Sequence, residues 1–169
     1  MVRKRTICSL VIVAMAATLP LLAKPDHAGP AEKATGSITL FEPYDGGYRD
    51  VSFNAHEARA NRPAKGEMTD MVYDPDGNLR RVFEYDVMYV RVDGDYAWFG
   101  AVCTLDSEGA KTGDWLYVRV MDGGTPGTEG DSMGWKWGSE TQVMDWVEDG
   151  DSDTWWRMAI AGNLVVHTY

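Results

Sequence analysis

The stretch Val82–Leu105, VFEYDVMYVRVDGDYAWFGAVCTL, decides the fold because it is the longest run of strand-forming residues interrupted by one tight turn. Asp-Gly tolerates the positive φ that short hairpin turns require. Two registers suit the pattern. A turn centred on Asp93-Gly94 pairs Val90 with Ala97, whereas a turn centred on Gly94-Asp95 pairs Val90 with Phe99. Either register predicts a β-hairpin.

The two faces of this hairpin differ in character, because alternate residues of a strand point to opposite sides. One face is small and apolar and suits a core: Met88, Val90, Val92, Ala97, Phe99, Ala101 and Cys103. The other face is aromatic: Phe83, Tyr85, Tyr89, Arg91, Tyr96, Trp98 and Val102. A face this rich in aromatic residues needs either a covering layer or a ligand.

Short segments that are predicted as strands, separated by turn residues, continue along the chain: 37–41, 49–58, 67–73, 114–121, 132–137, 142–147, 154–160 and 163–168. No segment of ten or more residues shows a sustained helical period. The pattern predicts an all-β domain, an antiparallel β-sandwich of about nine or ten strands, with a partly open β-barrel as the alternative. Residues 114–121 repeat the aromatic-plus-arginine pattern, so this strand is predicted to lie beside the hairpin.

The N-terminus has the charged-then-apolar order of a secretory signal peptide, with Arg3-Lys4-Arg5 followed by an apolar run to Ala23. Cleavage after Ala23 suits the small residues there better than cleavage after Ala28. The predicted organisation is a signal peptide at 1–23, a flexible leader at 24–36 and one domain at 37–169. The sequence therefore predicts a secreted protein, periplasmic or extracellular, with no membrane insertion after cleavage.

The net charge narrows the classes of partner. Residues 1–23 carry three basic and no acidic residues, so their removal changes the net charge from −10 to −13. An acidic surface repels phosphate backbones and anionic lipid. Nucleic acid is therefore disfavoured as a partner, and the acidic surface favours cations, basic partners or simply solubility.

The spacing of turns and strands also resembles a known family. The matching segments are Pro63-Ala-Lys65-Gly66, Val90-x-Val92-x-Gly94-Asp95, Val118-x-Val120-x-Asp122, Asp131-x-Met133-x-Trp135 and the closing Gly162-Asn163-Leu164-Val165-Val166-His167. This order is similar to the post-choice-of-anchor domain, a small secreted bacterial all-β domain. The resemblance implies a β-rich accessory or interaction domain without an established activity. The seven Trp and the acidic segment 145–153 depart from the family pattern.

Two acidic segments are candidates for calcium-binding loops, since Ca²⁺ takes six to eight oxygen ligands. Their carboxylates are Asp122, Glu129, Asp131, Asp149, Asp151 and Asp153. The second segment has alternating carboxylates but Thr154 and Ile160 where a calcium loop requires Gly and Glu. Solvated turns are the preferred interpretation, and no other cofactor is indicated.

Catalysis finds little support in the residue pattern. Glu84 and Asp86 share the parity of the core, but the open end of the hairpin is expected to be bulged, with both solvated. His56 and His167 could form a metal pair if their strands were neighbours, although two unrelated histidines are the preferred interpretation. Cys103, the sole cysteine after residue 23, is expected to be a buried small hydrophobe. The chain is therefore more simply a non-enzyme.

The aromatic face is the main candidate site. The candidate ligand-binding residues are Tyr89, Arg91, Tyr96, Trp98, Trp115, Tyr117 and Arg119. Aromatic rings flanked by arginine suit sugar rings and peptide surfaces. A second layer that covers all or part of the face is the preferred interpretation, because large exposed apolar patches are uncommon in monomers. The sequence predicts a secreted, non-catalytic binding or accessory domain for an extracellular glycan or protein. The alternatives are a structural envelope protein and a carboxylate-dependent hydrolase.

Overall fold

The computed structural model describes residues 31–59, 62–124 and 130–169, so the predicted signal peptide lies outside the described residues. The strands are β1 (Lys33–Phe41), β2 (Tyr48–His56), β3 (Lys65–Tyr73), β4 (Leu79–Asp93), β5 (Tyr96–Asp106), β6 (Trp115–Met121), β7 (Ser132–Gly138) and β8 (Trp155–His167). One helix, α1 (Glu140–Asp149), connects β7 to β8. Residues 33–36, assigned to the leader from sequence, belong to β1.

The eight strands form a closed antiparallel barrel in which each strand pairs with the next and β8 returns to pair with β1. The all-β class and the barrel alternative are confirmed, and the sandwich is not. Two differences reduce the nine or ten predicted strands to eight among the described residues. Residues 142–147 are helical, and 154–160 and 163–168 lie in one strand, β8.

The central hairpin adopts the second of the two registers, with Val90 opposite Phe99 and Val92 opposite Ala97. Gly94 has a φ of 58°, and Asp95 does not have a positive φ. Positive φ at the first turn position alone is typical of a type II′ turn, whereas type I′ needs it at both positions. The strand 114–121, predicted beside this hairpin, does pair with β5 as β6.

A β-bulge in β4 reverses part of the predicted facing. The register shifts between Val87 and Tyr89, so Met88 is extra and points outward, 47% exposed. An extra residue restarts the two-residue alternation on the opposite side. Phe83 and Tyr85 are therefore buried in the barrel interior, and placing them on the aromatic face was wrong, as was placing Met88 in the core. For the same reason Glu84 and Asp86 are exposed, as expected for a bulged hairpin end.

The barrel is packed with side chains across its middle. Phe53 and Phe99 meet there with ring centroids 5.4 Å apart. Small inward residues such as Ala55, Ala97 and Ala101 leave room for these rings. Eight-stranded barrels have an interior just wide enough to be filled by side chains or to hold one small ligand. A packed middle restricts any ligand to an end of the barrel.

Helix α1 begins and ends at clear caps. Ser139 and Gln142 form a reciprocal capping box, and Gly150 ends the helix with a left-handed φ of 67°. Val143 and Val147, one turn apart, are its buried residues. In the described residues, no helix combines the length and apolarity needed to cross a bilayer.

Candidate functional site

Helix α1 lies over the aromatic face of β4, β5 and β6. Its Val143 and Val147 pack with Trp98 and Tyr117, which are 7% and 0% exposed. Tyr117 also meets Trp146 edge-on, with the ring centroids 5.8 Å apart. The covering layer weighed from sequence is therefore present over these two residues, and it is a helix rather than a second sheet.

Polar groups fasten the end of α1 to the same face. Arg91 Nη1 donates to the carbonyl of Glu148 at 2.5 Å, and the Tyr117 hydroxyl donates to the carbonyl of Asp151. Arg119 donates to the carbonyl of Ser152 at 3.4 Å. The Glu148 carbonyl lies in the last turn of α1, where carbonyls lack intrahelical donors and carry partial negative charge, so the cationic Arg91 stabilises it. Burial raises the pKa of Tyr117, which keeps its hydroxyl a donor.

All seven predicted site residues lie together on this outer face, but they mainly form the surface on which α1 packs. Tyr89 stacks on Trp115 with centroids 5.6 Å apart, and its hydroxyl donates to Glu140 at 3.0 Å. Tyr96 stacks on Trp98 at 5.9 Å. Binding of a glycan or protein by this face stays a prediction, and the contacts with α1 give the residues a structural role.

The carboxylates considered for calcium mostly accept hydrogen bonds from the chain itself. Asp131, fully buried, accepts from the backbone N–H groups of Gly123 and Leu164 at 2.9 and 2.8 Å. Asp122 accepts from Gly124 and Val166 at 2.8 and 2.9 Å. These bonds tie the β6–β7 connection to β8.

In the second acidic segment, one carboxylate forms a salt bridge and the other two are exposed to solvent. Asp151 pairs with Lys136 at 2.6 Å, while Asp149 and Asp153 are exposed. Glu129 lies outside the described residues. Across residues 31–59, 62–124 and 130–169, no group of three or more His, Cys, Asp or Glu residues could hold a metal ion.

The histidines and the cysteine take separate places. His56 and His167 both lie opposite Lys33 of β1, one on each side, so a lysine separates them. Burial, followed by the charges of Lys33 and Lys65, lowers the pKa of His56. Cys103 is buried, as expected, and burial raises the pKa of its thiol.

A cavity of about 150 Å³ lies at the barrel end that carries the β1–β2, β3–β4 and β5–β6 connections. We call it the mouth cavity. Its walls are Arg49, Val51, Met68, Asp70, Arg81, Phe83, Tyr85, Lys111, Leu116, Met133, Trp135 and Trp137. Five strands and one connection contribute to these walls, so closure of the barrel creates the cavity.

The mouth cavity contains one buried carboxylate, Asp70. It lies between the interior residues Val51 and Phe83 on the neighbouring strands, and only 6% of it is exposed. Arg49 donates to Asp70 Oδ2 and also pairs with Glu42. Asp70 Oδ1 is buried without a hydrogen-bond partner among the described residues. Burial raises the pKa of Asp70, and Arg49 opposes that shift.

Cations lie against three aromatic rings of the cavity walls. The Arg81 guanidinium is 4.6 Å from the Phe83 centroid, the Lys111 ammonium is 4.8 Å from Trp137, and the Arg49 guanidinium is 5.2 Å from Trp135. Such contacts attract a cation to the negative face of a ring. The ring faces that could have received a cationic ligand therefore already have cationic neighbours.

Asp106 anchors the β5–β6 connection beside the cavity. It accepts from Arg81 Nε and Nη2 at 2.8 and 2.7 Å and from the backbone N–H groups of Glu108 and Lys111. The hydrogen bonds from Arg81 hold the pKa of Asp106 well below its usual range. Asp106 therefore remains ionised under mildly acidic conditions.

We expect Asp106→Asn to lower the free energy of unfolding near neutral pH and to flatten its decline in acid. A depressed folded-state pKa stabilises the fold above the unfolded-state pKa of about 3.9, and this stabilisation is lost as the pH falls below it. Urea unfolding at several pH values between about 2 and 5 measures the slope. Glu108→Gln, at a more exposed partner of Arg81, is the matched control. An unchanged slope in Asp106→Asn would contradict the assignment.

A larger groove of about 830 Å³, which we call the outer groove, lies between α1 and β4 and extends to the barrel end that carries the β2–β3 connection and the β4–β5 turn. Its apolar residues include Met88 and Met144, and acidic Glu57 and Glu148 border it. Among the described residues, the buried polar atoms without partners all belong to residues outside this groove. Size favours this groove, but enclosure and the unpartnered carboxylate oxygen favour the mouth cavity, which we regard as the stronger candidate site.

The sequence contains signals for the mouth cavity that strand counting overlooks. Arg49 has the parity of Val51 and Phe53, and Asp70 has the parity of Met68. Opposite charges at core positions of two neighbouring segments indicate a buried ion pair. The shared side of Met133, Trp135 and Trp137 likewise indicates an aromatic interior wall.

No family model, curated protein or solved structure matches the chain. The resemblance to the post-choice-of-anchor domain therefore stays a prediction.

Proposed function

We propose that this protein is a secreted, non-catalytic binding protein that holds a small molecule in the mouth cavity. The charged and apolar order of residues 3–23 supports secretion. The enclosed cavity at the barrel end is the observation that carries the binding proposal. Small-molecule sites are typically concave and mostly apolar, with a few placed polar groups.

The cavity has the size and walls for a single-ring ligand. Its volume of about 150 Å³ matches that of an apolar cavity known to admit benzene. Phe83, Trp135 and Trp137 provide flat apolar area, and Met68 and Met133 provide flexible side chains that adapt to a ligand.

Binding suits these walls better than catalysis. The residues that line the cavity include no His, Cys, Ser or Thr, the side chains most often used as nucleophile or general base. Its single carboxylate has no second carboxylate beside it in the lining for paired acid–base chemistry. The hydrolase alternative therefore gains no support at this site.

Leu116→Phe is expected to weaken binding of single-ring compounds by at least about tenfold, because the larger side chain occupies the mouth cavity. Benzene and phenol serve as probes in calorimetric titrations. Leu105→Phe is the matched control, since Leu105 is exposed outside the barrel. Comparison is restricted to variants whose melting temperature stays near that of the wild type. Failure of the wild type to bind either probe, or equal binding by Leu116→Phe, would reject the proposal.

A further inference from the structure

We infer that the ligand of the mouth cavity is a compact, neutral, planar molecule with an O–H or N–H group that donates to Asp70 Oδ1. This inference rests on the proposed binding function and adds the chemical class of the ligand.

The position of Asp70 provides the first argument. Its neighbours across the sheet, Val51 and Phe83, are buried in the interior, so the same alternation turns Asp70 inward. Arg49 serves Oδ2, whereas Oδ1 has no partner in the described chain. A buried carboxylate oxygen without a donor is costly, and native proteins seldom leave one.

A ligand must carry its own donor group if it is to displace water from Asp70 Oδ1 without losing a hydrogen bond. Water can donate to the same oxygen, and displacing it without replacing the hydrogen bond loses affinity. A ring that carries a donor therefore binds better than a ring of the same shape without one. Hydrogen bonds to charged groups are worth about 1.5–3 kcal/mol, which corresponds to about tenfold to a hundredfold in affinity.

The surrounding charges select a neutral donor. Arg49, Arg81 and Lys111 lie against the aromatic walls, so a cationic ligand would meet three like charges. These three cations already have carboxylate partners: Glu42 and Asp70 for Arg49, Asp106 and Glu108 for Arg81, and Asp114 for Lys111. An anionic ligand would therefore find each of them already paired and would meet the carboxylate of Asp70. Neutral ring compounds with one donor, such as phenols and N–H heterocycles, satisfy Oδ1 without either repulsion.

The test compares rings that differ chiefly in the donor. Pyrrole is paired with furan and phenol with fluorobenzene, and benzylamine, protonated at neutral pH, represents a cation. Isothermal titration of the full chain should give at least about tenfold tighter binding for each donor than for its matched partner. Benzylamine should bind more weakly than phenol. These comparisons need no variant.

Asp70→Asn then tests the residue itself. The amide keeps an oxygen for Arg49 and turns its NH₂ group to the cavity, so the preference for pyrrole over furan should vanish or reverse. Equal binding of donor and non-donor rings to the wild type, with both lost in Leu116→Phe, overturns this inference and leaves the proposed function standing. Tighter binding of benzylamine than of phenol also overturns it. Failure of all five compounds to bind the wild type overturns both proposals.

Discussion

Replacing Tyr117 by alanine is expected to lower the free energy of unfolding by about 3–5 kcal/mol, the range typical of removing a large buried aromatic side chain. Tyr117 is fully buried, meets Trp146 of α1 edge-on and donates to the carbonyl of Asp151. The substitution removes the ring on which α1 rests and leaves that carbonyl without its donor. Chemical denaturation monitored by circular dichroism measures the loss.

The matched control is Trp155→Ala, because Trp155 is another aromatic residue of the barrel but is 68% exposed. We expect its effect to stay within about 0.5–1 kcal/mol. If Tyr117→Ala were as mild as the control, Tyr117 would belong to an open platform, and glycan or protein binding by the aromatic face would regain support.

Asp131→Ala is expected to cost about 2–5 kcal/mol, because it removes the acceptor for two backbone N–H groups in a buried site. Those groups belong to Gly123 and Leu164, so the substitution also releases the β6–β7 connection from β8. The first part of β8 pairs with β7 and the rest pairs with β1, so hydrogen bonds such as these help to hold β8 in the barrel. Denaturant unfolding measures the change in free energy.

Asp153→Ala is the control for charge, because Asp153 is an exposed carboxylate from the acidic segment considered for calcium. Its effect should be small. Measurement of the melting temperature with calcium and with EDTA completes the comparison. A melting temperature that rises with calcium in the wild type but not in Asp131→Ala would contradict a purely structural role for Asp131.

The sequence predicts those parts of the fold that depend on local alternation. The hairpin Val82–Leu105 is recognisable because Asp93-Gly94 and the flanking apolar residues indicate a short turn, while the register, centred on Gly94-Asp95, came from the structure. The pairing of β6 with β5 followed from their shared aromatic pattern. The all-β class followed from the short segments and their turns.

The missing parts depend on interactions that alternation does not encode. The bulge at Met88 reverses the facing of Phe83 and Tyr85. The core parity of Glu84 and Asp86 indicated a bulge near this end of the hairpin, but it did not indicate which residue is the extra one. The apolar residues of the segment 142–147 lie at 143, 144, 146 and 147, a helical spacing that is too short to form a sustained period, although Ser139 and Gln142 carry a capping signal. Local alternation does not specify barrel closure, which creates the mouth cavity from distant segments.

The most direct test of the mouth cavity uses the methionines as reporters. Met68 and Met133 line the cavity, whereas Met88 and Met144 line the outer groove and Met158 is 55% exposed. NMR spectra of protein labelled with ¹³C at the methionine methyl groups are recorded during titration with phenol. The expected result is saturable shifts of the Met68 and Met133 methyl resonances, with little change at Met158. Shifts confined to Met88 and Met144 would place the ligand in the outer groove, and no shifts at all would contradict small-molecule binding by this barrel.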